Sequence, residues 1–141
     1  MTARMPQQLL QKPIKQPVRI YDFMQTVQHN TLLNPRFMNA VDIHQKDRYG
    51  NTALYWAIYH HNLQNVEILL HHGCALEVTA EGRHAAFFAI DTNNLKILAC
   101  LIEHGINPHT QYRKENVYEY AKRLGSKEIN AYLRTNMLVG S

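Results

Sequence analysis

Cysteine is almost missing from this chain. Two residues in 141, Cys74 and Cys100, cannot build the multi-bridge framework of a disulfide-stapled module. No apolar run approaches the roughly 18 residues that a membrane-spanning helix needs, so no membrane span is expected. Acid is missing from one region only. Residues 1–20 hold Arg4, Lys12, Lys15 and Arg19 and no Asp or Glu, while residues 21–141 balance 11 basic against 11 acidic side chains. The whole formal excess of +4 therefore belongs to the leading segment. Pro6, Pro13 and Pro17 also deny that segment the unbroken apolar stretch of a secretory signal. Catalytic signatures are absent as well: there is no phosphate loop, nucleophile elbow, kinase signature or His-Glu-x-x-His run. The acids are scattered without paired spacing, so no enzyme, catalytic residue or cofactor is implied.

What is present is 45% apolar and 18% charged, the balance of a globular domain with an ordinary core. Cytoplasm is the expected compartment, given unpaired cysteines and no secretory signal. Residues 1–17, rich in Gln and Pro, read as an extended basic arm, because proline fixes φ and removes a donor. The arm reads as a solvated tail; the alternative is contact with RNA or an anionic lipid surface. Four charges without a readout motif make nucleic acid an unexpected partner.

A shift of 32 residues superposes two segments without gaps. Gly50-Asn51-Thr52-Ala53-Leu54-Tyr55-Trp56-Ala57-Ile58 lies over Gly82-Arg83-His84-Ala85-Ala86-Phe87-Phe88-Ala89-Ile90. Asn62-Leu63, Ile68-Leu69-Leu70 and His72-Gly73 lie over Asn94-Leu95, Cys100-Leu101-Ile102 and His104-Gly105. A second shift reaches Asn116, Ala121, Ser126, Ile129 and Leu133. Each unit reads as two short helices. Thr52, His84 and Asn116 stand where the first begins, and Asn62, Asn94 and Ser126 where the second begins. Such side chains accept an orphan N–H of the first turn. His84 is the weakest of these caps, whereas Asn116 with Glu119 fits a capping box. Gly73 and Gly105 suit the left-handed close of the second helix. Leu63, Val66, Leu69 and Leu70 line one helical face, and Leu95, Leu98, Leu101 and Ile102 repeat it. One such unit cannot bury its own apolar face, but stacked units join their faces into a continuous core.

These residues resemble the ankyrin repeat: a glycine turn, a Thr-Ala-Leu-Tyr opening, an alanine-containing first helix, and a Leu-Leu run before glycine. The resemblance implies an all-α helix-turn-helix solenoid with short turns or β-hairpin fingers and irregular capping units. It divides the chain into the arm, an N-terminal capping helix pair over 18–46, repeats over 47–78 and 79–110, and a degenerate capping repeat over 111–137. The interval from Gly73 to Gly82 predicts a shortened finger. Lys114 replaces the turn glycine of the last unit. The resemblance also implies a protein partner, held on the concave face by turns and first-helix ends. Carried over position by position, that face comprises Arg48, Tyr49, Asn51, Tyr59, His60, Glu81, Arg83, Asp91, Thr92, Tyr112, Arg113 and Glu115. An adaptor or inhibitor is implied, monomeric by default. The alternative is an effector acting in a host cytoplasm, or a piece of a longer protein.

The remaining residues have plainer readings. Nine histidines include His60-His61 and His71-His72, but adjacent helical residues point about 100° apart, so these pairs are not expected to chelate metal. His72 and His104 stand where a helix's terminal carbonyls can be met. Cys74 and Cys100 are expected as small buried hydrophobes. Tyr55, Trp56, Phe87 and Phe88 are expected to pack mainly as core, while Tyr49 and Tyr112 at the turns face outward.

Overall fold

The computed structural model describes residues 22–137. The basic arm lies outside the described residues. The chain is helical. Helix α1 (Phe23–Gln28) is followed by a 3-10 helix (Pro35–Ala40). Three helix pairs follow: α2 (Ala53–Tyr59) with α3 (Leu63–His71), α4 (Ala85–Asp91) with α5 (Leu95–Glu103), and α6 (Val117–Leu124) with α7 (Lys127–Met137). First helices stack on first helices and second on second: α2 meets α4, α4 meets α6, and α3 meets α5. The result is a helix-turn-helix solenoid.

The helices start where cap chemistry starts them. The side chains of Thr52, Asn62, Asn94 and Asn116 each accept a backbone N–H three residues on. Asn116 and Glu119 close both bonds of a capping box, each at 2.9 Å. Ser126 bonds the Ile129 N–H at 3.2 Å. His84 also caps, through Nδ1, which accepts from the Ala86 N–H at 3.1 Å. Gly73 (φ 80°) and Gly105 (φ 104°) close α3 and α5 in the left-handed region.

Buried leucines, isoleucines and alanines from every pair form one core. Leu69 and Leu101 are at 0% exposure. Ala53, Ala57, Ala85, Ala89 and Ala121 are buried too, so small residues line the faces by which first helices approach one another. Cys74 and Cys100, expected to be buried, are half-buried at the rim of this core.

Polar stitches cross the stack. Asn62 Nδ2 bonds Asn30 Oδ1 at 2.9 Å, and Asn94 Nδ2 lies 2.7 Å from His61 Nδ1. Asn65 is the strongest stitch. It is 1% exposed, accepts the Leu33 N–H at 2.7 Å and donates to the Thr31 carbonyl at 3.0 Å. The irregular loop between α1 and the 3-10 helix therefore finds its partners on α3.

Between helix pairs the backbone makes short fingers. Bridges Lys46↔Thr52 and Glu77↔His84 close the first two. Each carries a four-residue turn, with Gly50 N–H on the Asp47 carbonyl and Gly82 N–H on the Thr79 carbonyl. The shortening expected between Gly73 and Gly82 is thus not in the turn, which matches that of the first finger. The third finger differs. Tyr112 and Glu115 exchange both backbone bonds, and the two residues between them, Arg113 (φ 54°) and Lys114 (φ 71°), are both left-handed. That is the two-residue hairpin turn whose conformation ordinarily selects Asn and Gly.

Candidate protein-binding face

The fingers and the exposed sides of the first helices carry the residues that the resemblance implies for a partner, and together they are called the inner face. It has two halves of different chemistry.

The first half is aromatic. Along α2, Tyr55 and Tyr59 stand one turn apart with parallel rings, 6.2 Å between centroids. Phe88 of α4 extends the column, stacking on Tyr55 at 4.6 Å. Trp56 sits edge-on to both tyrosines, at 5.2 and 5.5 Å. Tyr59 is 52% exposed. Tyr55, Trp56 and Phe88 are half-buried: they pack against the core, as expected, but each also keeps part of its ring at the surface. Only Phe87, at 0%, is fully enclosed, beneath the rings of Tyr112 and Tyr120.

Asp47 anchors this half, and residue spacing did not mark it. Its Oδ1 accepts the backbone N–H groups of Tyr49 and Asn51, at 2.9 and 3.0 Å. Its Oδ2 accepts Trp56 Nε1–H at 2.8 Å and, more distantly, Gln28 Nε2–H at 3.4 Å. Burial pushes its carboxyl pKa up, but the N–H groups of Asn51, Trp56, Tyr49 and Gln28 together outweigh burial, so it lies below the ordinary value. Burial, with the nearby Tyr59 and Asp47, raises the Tyr55 phenol. A signal existed for the turn, since Asp ahead of a glycine suits an Asx turn, whereas nothing in the spacing marked Trp56 as its partner.

The second half is a closed polar cluster. Arg83 donates through Nε to Asp91 Oδ2 at 2.9 Å, and its Nη2 reaches both Asp91 and the Tyr120 hydroxyl. Tyr120 in turn donates to Asp91. The guanidinium lies 5.2 Å from the ring centroids of Tyr112 and of Tyr120. Beyond it, Arg123 Nε holds Glu115 Oε2 at 2.9 Å, and this bond keeps the Glu115 carboxyl below its ordinary pKa.

The residues expected on this face therefore differ in freedom. Tyr49 (65% exposed), Arg48, Glu81 and Arg113 stand out at the finger tips, and Arg48 folds over Tyr49 with a 2.8 Å bond to its hydroxyl. Tyr59 is open. Arg83, Asp91, Tyr112 and Glu115 are committed to one another or to Arg123. Asn51 is engaged through its backbone at Asp47. His60 Nε2 meets the Gln28 carbonyl at 2.7 Å, and the Thr92 hydroxyl donates to the Phe88 carbonyl at 3.1 Å, so both serve the fold.

Other candidate chemistry resolves into structure. Among the described residues, no group of three or more His, Cys, Asp and Glu side chains converges as a metal site. His72 Nδ1 bonds the Ile68 carbonyl at 2.9 Å, at the end of α3. Burial pushes the Cys74 thiol up to about 12, so at neutral pH it is protonated and a poor nucleophile.

A family model for ankyrin repeats, in three copies, matches residues 23–134. The chain belongs to the ankyrin-repeat family, whose repeats in general mediate protein–protein interaction and are not enzymes. A search of curated proteins returns no match. Among the described residues, no helix is long and apolar enough to cross a membrane.

Proposed function

We propose that this chain is a non-enzymatic adaptor or inhibitor that works in the cytoplasm and holds one protein partner on its inner face. The observation that carries this reading is the column of Phe88, Tyr55 and Tyr59, open to solvent at Tyr59. Aromatic side chains offer large contact area at low entropic cost, and they anchor interfaces. A core has no need to leave three stacked rings at its surface. Finger-tip Tyr49 adds a second anchor.

The test is comparative capture from a lysate. The full chain, a Tyr49→Ser/Tyr59→Ser double variant, and an outer-helix control, Glu67→Gln/Glu103→Gln, are immobilised side by side. A protein retained by the chain and the control but lost from the tyrosine variant is the expected result. An identical captured set on all three would remove the inner face from the account. With the captured protein once purified, the emission of Trp56, the sole tryptophan of the chain, gives a second readout, because its ring touches both Tyr55 and Tyr59.

A further inference from the structure

The charges of the inner face are unevenly paired. In the polar half two carboxylates have their own cations: Arg83 on Asp91 and Arg123 on Glu115. Among the described residues these are the two ion pairs formed, and Asp47 is in neither. Asp47 is an anion held by four neutral N–H groups. Two basic residues flank it in sequence: Arg48 is turned onto Tyr49, and Lys46, bridged to Thr52 through its backbone, forms no ion pair with it. Trp56 joins the carboxylate to the ring column: its Nε1–H bonds Asp47 Oδ2, and its ring lies against Tyr59, 5.5 Å between centroids. Electron-rich ring faces and an unneutralised carboxylate favour the same kind of guest, a cation.

One of the four donors on Asp47 is replaceable. Two belong to the turn backbone and one to the packed indole. The fourth, Gln28 Nε2, sits at 3.4 Å on a flexible side chain, at the long end of hydrogen-bond range. The geometry points to a guanidinium subsite here: an arginine of the partner protein stacks on Tyr59 and takes the place of Gln28 at Asp47 Oδ2. This rests on the inner-face reading above and names the partner's chemistry. Arginine fits better than lysine, because its planar head stacks on a ring while its N–H groups bond a carboxylate, and it is less strongly hydrated. The same anion disfavours a phosphate backbone.

The experiment titrates the full chain in low salt with a blocked Gly-Arg-Gly-Arg-Gly peptide, following Trp56 emission. The same peptide with citrulline, the neutral isostere, is the control. Saturable binding of the arginine peptide is expected, with citrulline weaker by about tenfold. Tyr59→Ala should lose about the same factor. Gln28→Lys, which supplies a cation to Asp47 from within, should abolish binding with an unchanged circular dichroism spectrum. Equal affinity for both peptides, or full binding by Gln28→Lys, overturns the proposal. So does binding that appears only after Arg4, Lys12, Lys15 and Arg19 are changed to Gln, since the occupant is then the chain's own arm. The two readings can fail separately. A lysate partner lost with the tyrosine variant but kept by Gln28→Lys leaves the inner face standing without its arginine. Arginine-peptide binding with lysate capture unchanged in the tyrosine variant does the reverse.

Discussion

His84 caps α4 with a ring nitrogen that must stay unprotonated, because Nδ1 is the acceptor for the Ala86 N–H. Burial lowers the His84 pKa below 6.5, against a smaller upward pull from Glu77. Between that lowered value and 6.5 the unfolded chain binds a proton that the folded chain refuses. The stability that His84 contributes is therefore present above 6.5 and is lost as pH falls through that window. Urea midpoints should rise between about pH 5 and about pH 7.5. His84→Asn keeps a capping oxygen without the titration, so its midpoint should rise less over the same interval. Equal slopes would show that other groups carry the whole effect. Asn65 supplies the second residue-scale prediction. Asn65→Ala strands the buried Leu33 N–H and the Thr31 carbonyl, which should cost about 1–3 kcal/mol. Hydrogen exchange should show the loss concentrated in α1 and the following loop, with α4 to α7 still protected.

The fingers show how an element can tolerate or refuse glycine chemistry. Gly50 has φ 85°, and a Cβ there would stand 2.5 Å from the Cβ of Ala80 on the next finger. Gly50→Ala therefore meets both a left-handed backbone and a collision between neighbouring fingers, and a loss of about 2 kcal/mol or more is expected. Lys114 is the opposite case, a side-chain-bearing residue at φ 71° in the third finger. Lys114→Gly should stabilise by up to about 1 kcal/mol, net of glycine's greater freedom when unfolded. Urea midpoints of both variants, measured together, give the two signs. Helix starts and the leucine faces of α3 and α5 were legible in the sequence, because capping and helical periodicity act within a few residues. The exposure of the column of Phe88, Tyr55 and Tyr59 was not. Repeat position equates Tyr55 with Phe87, yet Phe87 is enclosed by Tyr112 and Tyr120 while Tyr55 is covered by Phe88 and left open beside Tyr59. What decides burial at that position is the next unit's side chain, and the 32-residue comparison treats the units as alike. The pairing of Arg83 with Asp91 escaped for a related reason: it spans the finger and the far end of α4.

At the scale of the whole molecule, each helix pair leans on its neighbours, so the short array should unfold as one unit. Leu101 is fully buried in α5, between the units on either side. Leu101→Ala should cost about 2–5 kcal/mol, a large share of the roughly 5–15 kcal/mol a domain of this kind holds. Circular dichroism at 222 nm should show helix lost across the array in a single transition. Two separated transitions would mean that the units are less coupled than their shared core suggests.

The amide of Asn65 has a meaning for how such an array grows. Its counterparts one and two periods later, Ile97 and Ile129, are greasy and fully enclosed. An extra unit inserted after α3 would find a neighbour ready to receive it. One inserted before α2 would have to satisfy a lone carboxamide built for a particular loop. Asn65 thus keys α3 to one particular loop, whereas the later units meet through apolar side chains.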